Sequence, residues 1–536
     1  MAQPTNHFKQ ATGKPAEPLK RVYWSRTALR RQLRDAERDN EELRRQNECL
    51  RGQFEEAQKQ IGDKDKAIAE KDKAIAEKEK QIADLERQLA ACKKNSTNSS
   101  KPPSSDGLAG DQRPRKKRKK SRRKPGGQTG HDGNHRPLVE PERVDKVISI
   151  LPEACKHCGH RLPQHSEEIQ TIGEIHRHQV IELPPIQAHI TEYQCPKVLC
   201  QDCGKGTRAP LPSEFQDQSG PQLTALIAYL TVVCRMPRRV VEAFLEDALH
   251  ISISLGSTQK AWEQASVAVQ QPYQELQQQL KNESVLNSDE TSWRNDGEKR
   301  WIWALVAQSF VFYTVAASRG SEVLIHLLGV VFRGVLCSDR AAAYMKYHKG
   351  KAQFCWAHLK RNLLGIRDFA KTTEADRFGR DALALHARLF RLWHRFRGDN
   401  TRRPELIRKS IPLQKKFFKL ADRHVNSDDA EVRNMARALF FHCERLFTFL
   451  EVPGVEPTNN SAERALRIAV QWRKVCFGNR SANGELATAR LLTATQTCKI
   501  QQRSALDYLT EAVRCHRRGL PSPTLLLQQT SAKTRG

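Results

Sequence analysis

The sequence contains no apolar run approaching the roughly 20 residues that a helix needs to cross a bilayer. No membrane-spanning protein is therefore expected. The first 20 residues, MAQPTNHFKQATGKPAEPLK, also lack the apolar segment of a secretory signal, so we expect no export. The 14 cysteines are scattered through 536 residues, which favours metal binding or free thiols over a disulfide framework. These features predict a cytoplasmic chain without a membrane partner.

Acidic residues are scarce relative to basic ones. The chain has 61 Asp and Glu against 90 Lys and Arg, which gives a formal net charge of +29. So large an excess of positive charge is typical of proteins that bind polyanions, and nucleic acid is the first candidate. A length of 536 residues also exceeds what one core can fill, so we expect several domains.

A heptad repeat occupies residues 27–94. One seam carries nine residues at seven-residue spacing, namely Leu33, Asn40, Asn47, Phe54, Ile61, Ile68, Ile75, Ile82 and Leu89. The second seam is weaker, because it places Lys64, Lys71 and Lys78 where apolar residues are preferred. The repeat predicts a coiled coil through which the chain forms a homodimer or higher oligomer. A lone charged helix would show the same periodicity.

The composition changes after the repeat. Residues 95–138 join a Ser- and Pro-rich segment to the basic block RPRKKRKKSRRK and a Gly-rich stretch. A block of like charge repels itself and cannot bury a core, so we expect a disordered linker. Near a DNA duplex, the block would displace counterions from phosphates and bind without sequence preference. Residues 1–26 and 519–536 are likewise expected to be a disordered N-terminus and tail.

Residues 139–210 form a small segment with two C-x-x-C-G knuckles. The candidate Zn²⁺ ligands in these knuckles are Cys155, Cys158, Cys200 and Cys203. Two such turns can hold one Zn²⁺ in a closed tetrahedron of thiolates, which stabilises a module and leaves no open position for catalysis. Cys195 is an alternative ligand in the second knuckle, and His157 or His160 could substitute in the first.

Residues 220–280 have the apolar periodicity of helices. A stripe at 240–248 is followed by the break HISISLGS, and Thr258 is placed to cap the next helix. Helix, short turn and helix is compatible with a helix-turn-helix that recognises DNA, although ordinary core helices share this pattern. Basic residues of this region that could contact phosphates are Arg235, Arg238, Arg239 and Lys260.

Two aspartates follow apolar segments with strand patterns. The stretch ESVLNSDETSW indicates a strand that ends at Asp289, and two segments within 301–316 resemble the next strands of an antiparallel meander. A helix at 321–328 and a strand at 331–337 follow, with Asp339 directly after them. This element order is that of a ribonuclease-H-like fold, in which the first and fourth strands are neighbours. We therefore expect the two aspartates to meet.

A third carboxylate, Glu463, stands at the start of a later predicted helix, where Thr458, Asn459 and Asn460 are suitable caps. Carboxylates suit Mg²⁺ or Mn²⁺, which are hard cations that prefer oxygen ligands. Two such ions about 4 Å apart can stabilise the attacking and leaving oxygens at a phosphodiester. Spacing alone does not select these three acids from the 61 in the chain.

Three longer motifs resemble the transposases of insertion sequence sixty-six, a family of the DDE superfamily. They are DETSW at 289–293, CWAHLKR at 355–361 and TNNSAERALR at 458–467. The order of zipper, KPPSSDG linker, basic stretch, zinc module and helical region is also that of the family. The resemblance covers nearly the whole chain.

The resemblance implies that Asp289, Asp339 and Glu463 are the catalytic metal ligands of a DNA transposase. Such an enzyme uses Mg²⁺ or Mn²⁺ to cut double-stranded DNA at element ends and to join the freed 3′ hydroxyl to target DNA. A bacterial, nucleoid-associated location and accessory proteins of the same element are implied as well. Basic residues near the third acid that could hold the DNA backbone are Arg464, Arg467, Arg473 and Lys474.

Two features depart from the family pattern. The second cluster has an additional cysteine, Cys195, before Cys200 and Cys203, and this leaves the set of zinc ligands open. Arg340 follows the second aspartate where a smaller residue is usual, and its side chain could contact DNA or hinder a metal. Within the second motif, Cys355 and His358 could be a packed core pair or metal ligands.

The expected architecture is multidomain α+β. It comprises the N-terminal coiled coil, the small zinc module, a helical helix-turn-helix-like region, and a ribonuclease-H-like α/β catalytic core at 283–480. That core carries a helical insertion at about 370–450, and a C-terminal helical region follows at 481–518. Two other functions are compatible with the residues. One is DNA binding without catalysis, and the other is a nuclease that cuts without joining.

Overall fold

The structure is a computed structural model that describes residues 26–95, 98–99, 136–164, 172–398 and 402–527. The predicted disordered N-terminus and most of the predicted basic linker lie outside these residues. The chain divides into two compact units, Met1–Lys93 and Lys94–Gly536. Across the ranges that the structure describes, no helix combines the length and apolarity needed to span a membrane.

The first unit contains α1 (Arg26–Lys93), a helix of 68 residues. The heptad seam is exposed along it, with Leu33, Ile61 and Ile75 at 61%, 59% and 55% exposure. Surface ion pairs such as Arg45–Glu41, at 3.8 Å, contribute little to the stability of an isolated helix. The apolar stripe therefore has no packing partner within the described part of its own unit.

The cysteine-rich segment forms two turns of the same shape. In each knuckle the N–H of the first cysteine donates to the carbonyl five residues later, at 2.8 Å in the first and 2.9 Å in the second. Gly159 and Gly204 close these turns with φ of 74° and 67°, a conformation that favours glycine. The second knuckle joins β1 (Lys197–Leu199) to the antiparallel β2 (Gly206–Arg208).

Four helices fill the next region: α2 (Pro221–Val232), α3 (Arg238–Leu249), α4 (Leu255–Ala268) and α5 (Gln270–Gln279). Ser254 caps α4, since its side chain accepts a hydrogen bond from Ser257 N at 3.1 Å. The predicted cap, Thr258, is wrong. It lies inside the helix, where its hydroxyl donates to Leu255 O at 2.7 Å, because the helix begins one turn earlier than the apolar periodicity indicated.

The central sheet has five strands in the order β5-β4-β3-β6-β7. They are β3 (Val285–Asn295), β4 (Glu298–Val306), β5 (Val311–Ala316), β6 (Val335–Ser338) and β7 (Ala352–Phe354). The first three are antiparallel, while β6 pairs parallel with β3, and β7 parallel with β6. The predicted meander and the predicted contact between its first strand and the fourth strand are confirmed.

Two strand boundaries differ from the prediction. β3 does not end at Asp289 but continues to Asn295, because a tight turn at Asp296 and Gly297 lets it pair onward with β4. Both turn residues have positive φ, 49° and 80°, as two-residue hairpin turns of this twist require. The predicted strand at 331–337 is shorter, since β6 begins only after Gly334.

Helices cover the sheet and extend beyond it. They are α6 (Ser321–Leu328), α7 (Ala342–Tyr347), α8 (Trp356–Asp368), α9 (Thr373–Gly398), α10 (Arg403–His424), α11 (Ala430–Phe441), α12 (Cys443–Glu451), α13 (Asn460–Cys476), α14 (Ala482–Ile500) and α15 (Ala505–Arg517). One core joins the sheet to α2, α4 and α13–α15. A second core joins β7 and α8 to α9–α12, which make up the predicted helical insertion.

The C-terminal segment packs against this fold as far as the structure describes it. Leu525 is 1% exposed, and its carbonyl accepts a hydrogen bond from Gln501 at 2.7 Å. Tyr508 donates to Pro523 O at 3.0 Å. The expected disordered tail at 519–536 is therefore wrong for residues 519–527, because apolar side chains of the TLLL run find a place in the core. Residues 528–536 lie outside the described residues.

Candidate active site

Asp289 lies in β3, and Asp339 directly follows the neighbouring parallel strand β6. Asn287 on β3 pairs with Cys337 on β6, and each aspartate follows two residues later. Side chains two residues apart point to the same face of a strand. The Asp289 carboxylate accepts a hydrogen bond from Glu290 N at 3.0 Å, and that of Asp339 accepts one from Ala341 N at 2.8 Å.

Negative charge accumulates around Asp289. Burial raises the pKa of Asp289 well above its usual value, and the charges of Glu290, Asp339 and Glu463 raise it further. All three predicted acids therefore act electrostatically at one place. Their ligand atoms do not all fall within 4.8 Å of one another among the described residues. The negative charges of the three acids repel one another, so the binding of a divalent cation between them would be favourable.

Glu463 lies in the first turn of α13, and its environment is cationic. Its Oε1 is 3.4 Å from Nδ1 of His358 and 3.6 Å from Nη2 of Arg361. Neither Glu463 Oε1 nor His358 Nδ1 has a hydrogen-bond partner in the part of the chain that the structure describes, although both atoms are buried. An acceptor oxygen without a donor fits a carboxylate that takes part in holding a cation.

The start of α13 is tied to both aspartate-bearing strands. Asn459, which is 1% exposed, donates through Nδ2 to Ser288 O on β3 at 2.8 Å. Its backbone N–H donates to the Cys355 sulfur at 3.1 Å, and Cys355 N donates to Ser338 O on β6 at 2.9 Å. The residues that hold the third acid beside the first two therefore come from the second and third sequence motifs.

The surroundings of Cys355 and His358 disfavour the charged form of both side chains. Burial raises the pKa of the Cys355 thiol to about 11, against the opposing effect of nearby backbone N–H groups. Burial lowers the pKa of His358, and the positive charge of Arg361 lowers it further. These environments are compatible with a core pair and with metal ligands alike, because both residues face Glu463.

A second network under β3 was missed from the sequence. Glu290 is 7% exposed and accepts a hydrogen bond from Arg319 Nε at 2.5 Å, and the Tyr344 hydroxyl donates to its other oxygen. Burial raises the pKa of Glu290. These contacts fix the strand residue next to Asp289 from the opposite face. The glutamate beside the aspartate of DETSW was the one local signal for this network.

The Arg340 side chain is directed towards the helical insertion. It donates to Asn362 Oδ1 at 3.1 Å and lies 3.7 Å from the Met435 sulfur. It is therefore packed between α8 and α11. Neither contact involves the three acids.

The basic candidates for DNA contact fall into two groups. Four of them bond within the chain: Arg235 to Gln471, Arg238 to Gln259, Lys260 to Asp217, and Arg473 to Ser292. The other four have exposed side chains: Arg239, Arg464, Arg467 and Lys474. Each residue of the first group uses one donor within the chain, and Lys260 is nevertheless 67% exposed, whereas the second group has exposed side chains without such a bond among the described residues.

The candidate zinc ligands are brought together in pairs. Backbone N–H groups within each knuckle, from His157 and from Cys203 respectively, lower the pKa of Cys155 and of Cys200. That effect suits thiolates. The described residues contain no cluster of metal-ligating side chains at the knuckles that would join the two pairs around one point.

A cavity of about 590 Å³ lies between β3, the insertion helix α9 and the start of α13. It is lined by Asn287 of β3, Trp393 and Arg397 of α9, and Arg464 of α13. Asn287 lies two residues before Asp289 on the same strand, and its Oδ1 is buried without a hydrogen-bond partner among the described residues. The insertion helix α9 thus reaches the neighbourhood of the acids.

Two family models match this chain. A family of unknown function (DUF6444) matches residues 27–137, and the Transposase IS66 family matches residues 216–486, about half of the chain. Similar proteins include the uncharacterized proteins y4qI and y4hP of Sinorhizobium fredii (strain NBRC 101917 / NGR234). The first is 25% identical over 71% of this chain and 74% of its own length. The second is 23% identical over 70% of this chain and 73% of its own length. The range matched by the transposase model holds the helical region, the sheet, the insertion and α13, and the chain therefore belongs to the IS66 family of transposases.

Proposed function

We propose that this chain is a DNA transposase that cuts at the ends of an insertion sequence and transfers the cut strands to target DNA. The catalytic acids in this proposal are Asp289, Asp339 and Glu463. The observation that carries it is the matched position of the two aspartates on parallel strands, with Glu463 close enough to raise the pKa of Asp289. Membership of a transposase family supports the substrate class.

The strand order supports a ribonuclease-H-like catalytic core. The first three strands form an antiparallel meander, and the fourth and fifth are added in parallel beside the first. This arrangement brings the middle of β3 and the end of β6 together. Asp289 and Asp339, which are 50 positions apart in the sequence, can then bind the same metal ion.

The proposed mechanism assigns binding and orientation to the protein. The three acids would hold two Mg²⁺ or Mn²⁺ ions, which supply an activated water and stabilise charge at the phosphodiester. Asn459 and Cys355 hold α13 against both strands and thereby set the position of Glu463. The cavity beside Asn287 is lined by residues that neighbour Asp289 and Glu463 in sequence, and Arg464 offers positive charge there for DNA phosphates, whereas Arg397 is paired with Glu456 at 2.7 Å.

We further propose that α3 and α4 form a helix-turn-helix-like DNA-binding unit. On α3 the exposed side chain of Arg239 is well placed for phosphates. Arg467 and Lys474 are exposed basic residues on α13 that would add phosphate contacts. Arg235, Arg238, Lys260 and Arg473 would contact DNA through the donors that their present partners leave free. The basic block at 113–124 would add sequence-independent affinity.

Three parts of the proposal concern assembly. The exposed seam of α1 supports a coiled-coil homodimer or higher oligomer, since a second helix would cover it. The shared turn geometry of the knuckles supports a structural Zn²⁺ held by Cys155, Cys158, Cys200 and Cys203, with Cys195 as the alternative ligand. Accessory proteins and a bacterial, nucleoid-associated location remain expectations from the family.

A strand-transfer assay tests this function. Purified chain, Mg²⁺, oligonucleotides bearing the element ends and a supercoiled plasmid should give plasmid joined to the oligonucleotides. Asp339→Asn should bind the ends with unchanged affinity and lose cleavage and joining by about 10³-fold or more, whereas Asp422→Asn, at an exposed position of α10, should be fully active. Cleavage without joining would identify a nuclease, and binding alone would identify a non-catalytic DNA-binding protein.

A further inference from the structure

Cys355, His358 and Glu463 form a compact cluster whose chemistry differs from that of the aspartate pair. One ligand atom from each of the three residues lies within 4.8 Å of the other two. Sulfur, nitrogen and oxygen donors converge there. This donor set suits a borderline or soft divalent ion such as Zn²⁺, whereas Mg²⁺ prefers oxygen ligands only.

The spacing inside the cluster is that of a metal-ligand pair. His358 Nδ1 and Glu463 Oε1 are 3.4 Å apart, and neither has a hydrogen-bond partner among the residues the structure describes. Bonds of about 2.0–2.2 Å in a tetrahedral Zn²⁺ site place two such ligands about 3.3–3.6 Å apart. A cation between the two atoms would satisfy both of them, and the cost of leaving them buried without partners would disappear.

The third donor, the Cys355 sulfur, lies beside groups that favour its thiolate form. Cys355 immediately precedes α8, and its sulfur accepts the N–H of Asn459 at 3.1 Å. A helix N-terminus and N–H donors stabilise a thiolate, which is the form that binds metal. Because Cys355 is only 3% exposed, a thiolate there would need a cation to offset its burial.

We propose that Cys355, His358 and Glu463 bind a thiophilic divalent cation of the zinc class, with water in the remaining position. This ion would be additional to any Zn²⁺ at the knuckles. Because it engages Glu463, it would compete with the Mg²⁺ of the proposed function or fix that carboxylate for it. The proposal does not depend on transposition, since its readout is metal binding by the DNA-free chain.

Metal titration of the full-length chain provides the test, with Zn²⁺ and the spectroscopic probe Co²⁺. Wild type should bind one more equivalent of Zn²⁺ than Cys355→Ser, and its Co²⁺ complex should show thiolate charge-transfer absorption that Cys355→Ser lacks in part. Cys498→Ser removes an equally buried thiol in α14 and should match wild type. Asp289→Asn and Asp339→Asn should also retain the ion, which separates this site from the proposed Mg²⁺ site.

Two further variants extend the test, one in case Cys355→Ser does not fold and one that changes the charge beside Glu463. His358→Gln changes a partly exposed side chain and should lose the same equivalent if Cys355→Ser does not fold. Arg361→Gln removes a positive charge 3.6 Å from Glu463 Oε1, so it should tighten Zn²⁺ binding several-fold. Equal zinc content and equal Co²⁺ spectra in wild type, Cys355→Ser and His358→Gln would overturn the proposal. The two residues would then only position α13 by hydrogen bonding.

Discussion

Asp289 on β3 and Asp339, which directly follows the parallel strand β6, each stand two residues beyond the paired Asn287 and Cys337. The arrangement concentrates negative charge in a partly buried place, and the pKa of Asp289 rises as a result. Such charge destabilises the empty fold and is useful only if a cation binds. Stability measurements should therefore report on the site independently of DNA.

Asp289→Asn should make the metal-free protein more stable at pH 7. The substitution removes a carboxylate whose charged form is disfavoured by burial and by three neighbouring acids. Each kcal/mol gained would raise Tm by about 1 °C in a folded unit as large as Lys94–Gly536, because the entropy of unfolding grows with chain length. Thermal melts in the absence of divalent ions measure the effect, and Asp247→Asn, at an exposed position, should leave Tm unchanged.

The pH dependence of that stabilisation has a definite sign. The pKa of Asp289 in the folded state lies above the unfolded value of about 3.9. The free energy of unfolding therefore falls as the pH rises from the unfolded pKa to the folded pKa. The advantage of Asp289→Asn should thus be absent below about pH 4 and largest above the folded pKa. Mg²⁺ should raise Tm more in wild type than in the variant. A variant less stable than wild type at every pH would contradict this interpretation.

Asn459→Ala should disturb the site from a position that touches no substrate. The change removes the hydrogen bond to Ser288 O at 2.8 Å and leaves that carbonyl without its donor. A loss of about 1–3 kcal/mol in unfolding free energy is expected, together with a lower cleavage rate. Asn434→Ala alters an exposed asparagine in α11 and should preserve both quantities. Equal effects of the two substitutions would remove Asn459 from the description of the site.

Basic residues on α13 should separate into DNA-binding and structural ones. Arg467→Ala and Lys474→Ala should each weaken DNA binding and reduce the slope of log affinity against log salt by about one. Both side chains are exposed. Arg473→Ala should instead lower Tm, because the guanidinium bonds Ser292 Oγ at 2.7 Å. Fluorescence anisotropy over a range of salt concentrations, combined with thermal melts, distinguishes these outcomes.

The seam of α1 should govern oligomeric state. Ile68→Asp combined with Ile75→Asp places charge on two seam positions that are 56% and 55% exposed in the single chain. Light scattering should show a shift towards monomer, because the charges would be buried in a coiled coil. Lys66→Asp with Lys73→Asp, on the outer face of the same heptads, should preserve the oligomer. Identical masses for wild type and both pairs would argue against the coiled coil.

The central sheet could be predicted from the sequence because its signals are local. Apolar alternation marked three consecutive strands, and the helix between the third and fourth strands restricted how they connect. The electrostatic interaction between Asp289 and Asp339 then followed from topology. The Asp-Gly dipeptide at 296–297 is also a local signal, because it favours a hairpin turn that extends β3 past Asp289.

The features that could not be predicted depend on contacts between distant parts of the chain. The bond from Asn459 N to the Cys355 sulfur spans 104 positions, and the bond from Asn459 to Ser288 spans 171. Arg473 was predicted to bind phosphate, because the sequence does not reveal that its hydrogen-bond partner is Ser292 on β3, 181 positions away. Burial of the TLLL run near Leu525 likewise depends on a surface formed by other helices.

A metal-preference switch at the second aspartate tests most directly whether these acids hold catalytic ions. Asp339→Cys replaces an oxygen donor by sulfur, which Mg²⁺ binds poorly and Mn²⁺ accepts more readily. We predict that cleavage of element-end DNA by this variant is lost in Mg²⁺ and substantially restored in Mn²⁺, while Asp339→Ala stays inactive in both. An Asp339→Cys variant equally active, or equally inactive, with the two metals would contradict direct coordination by Asp339.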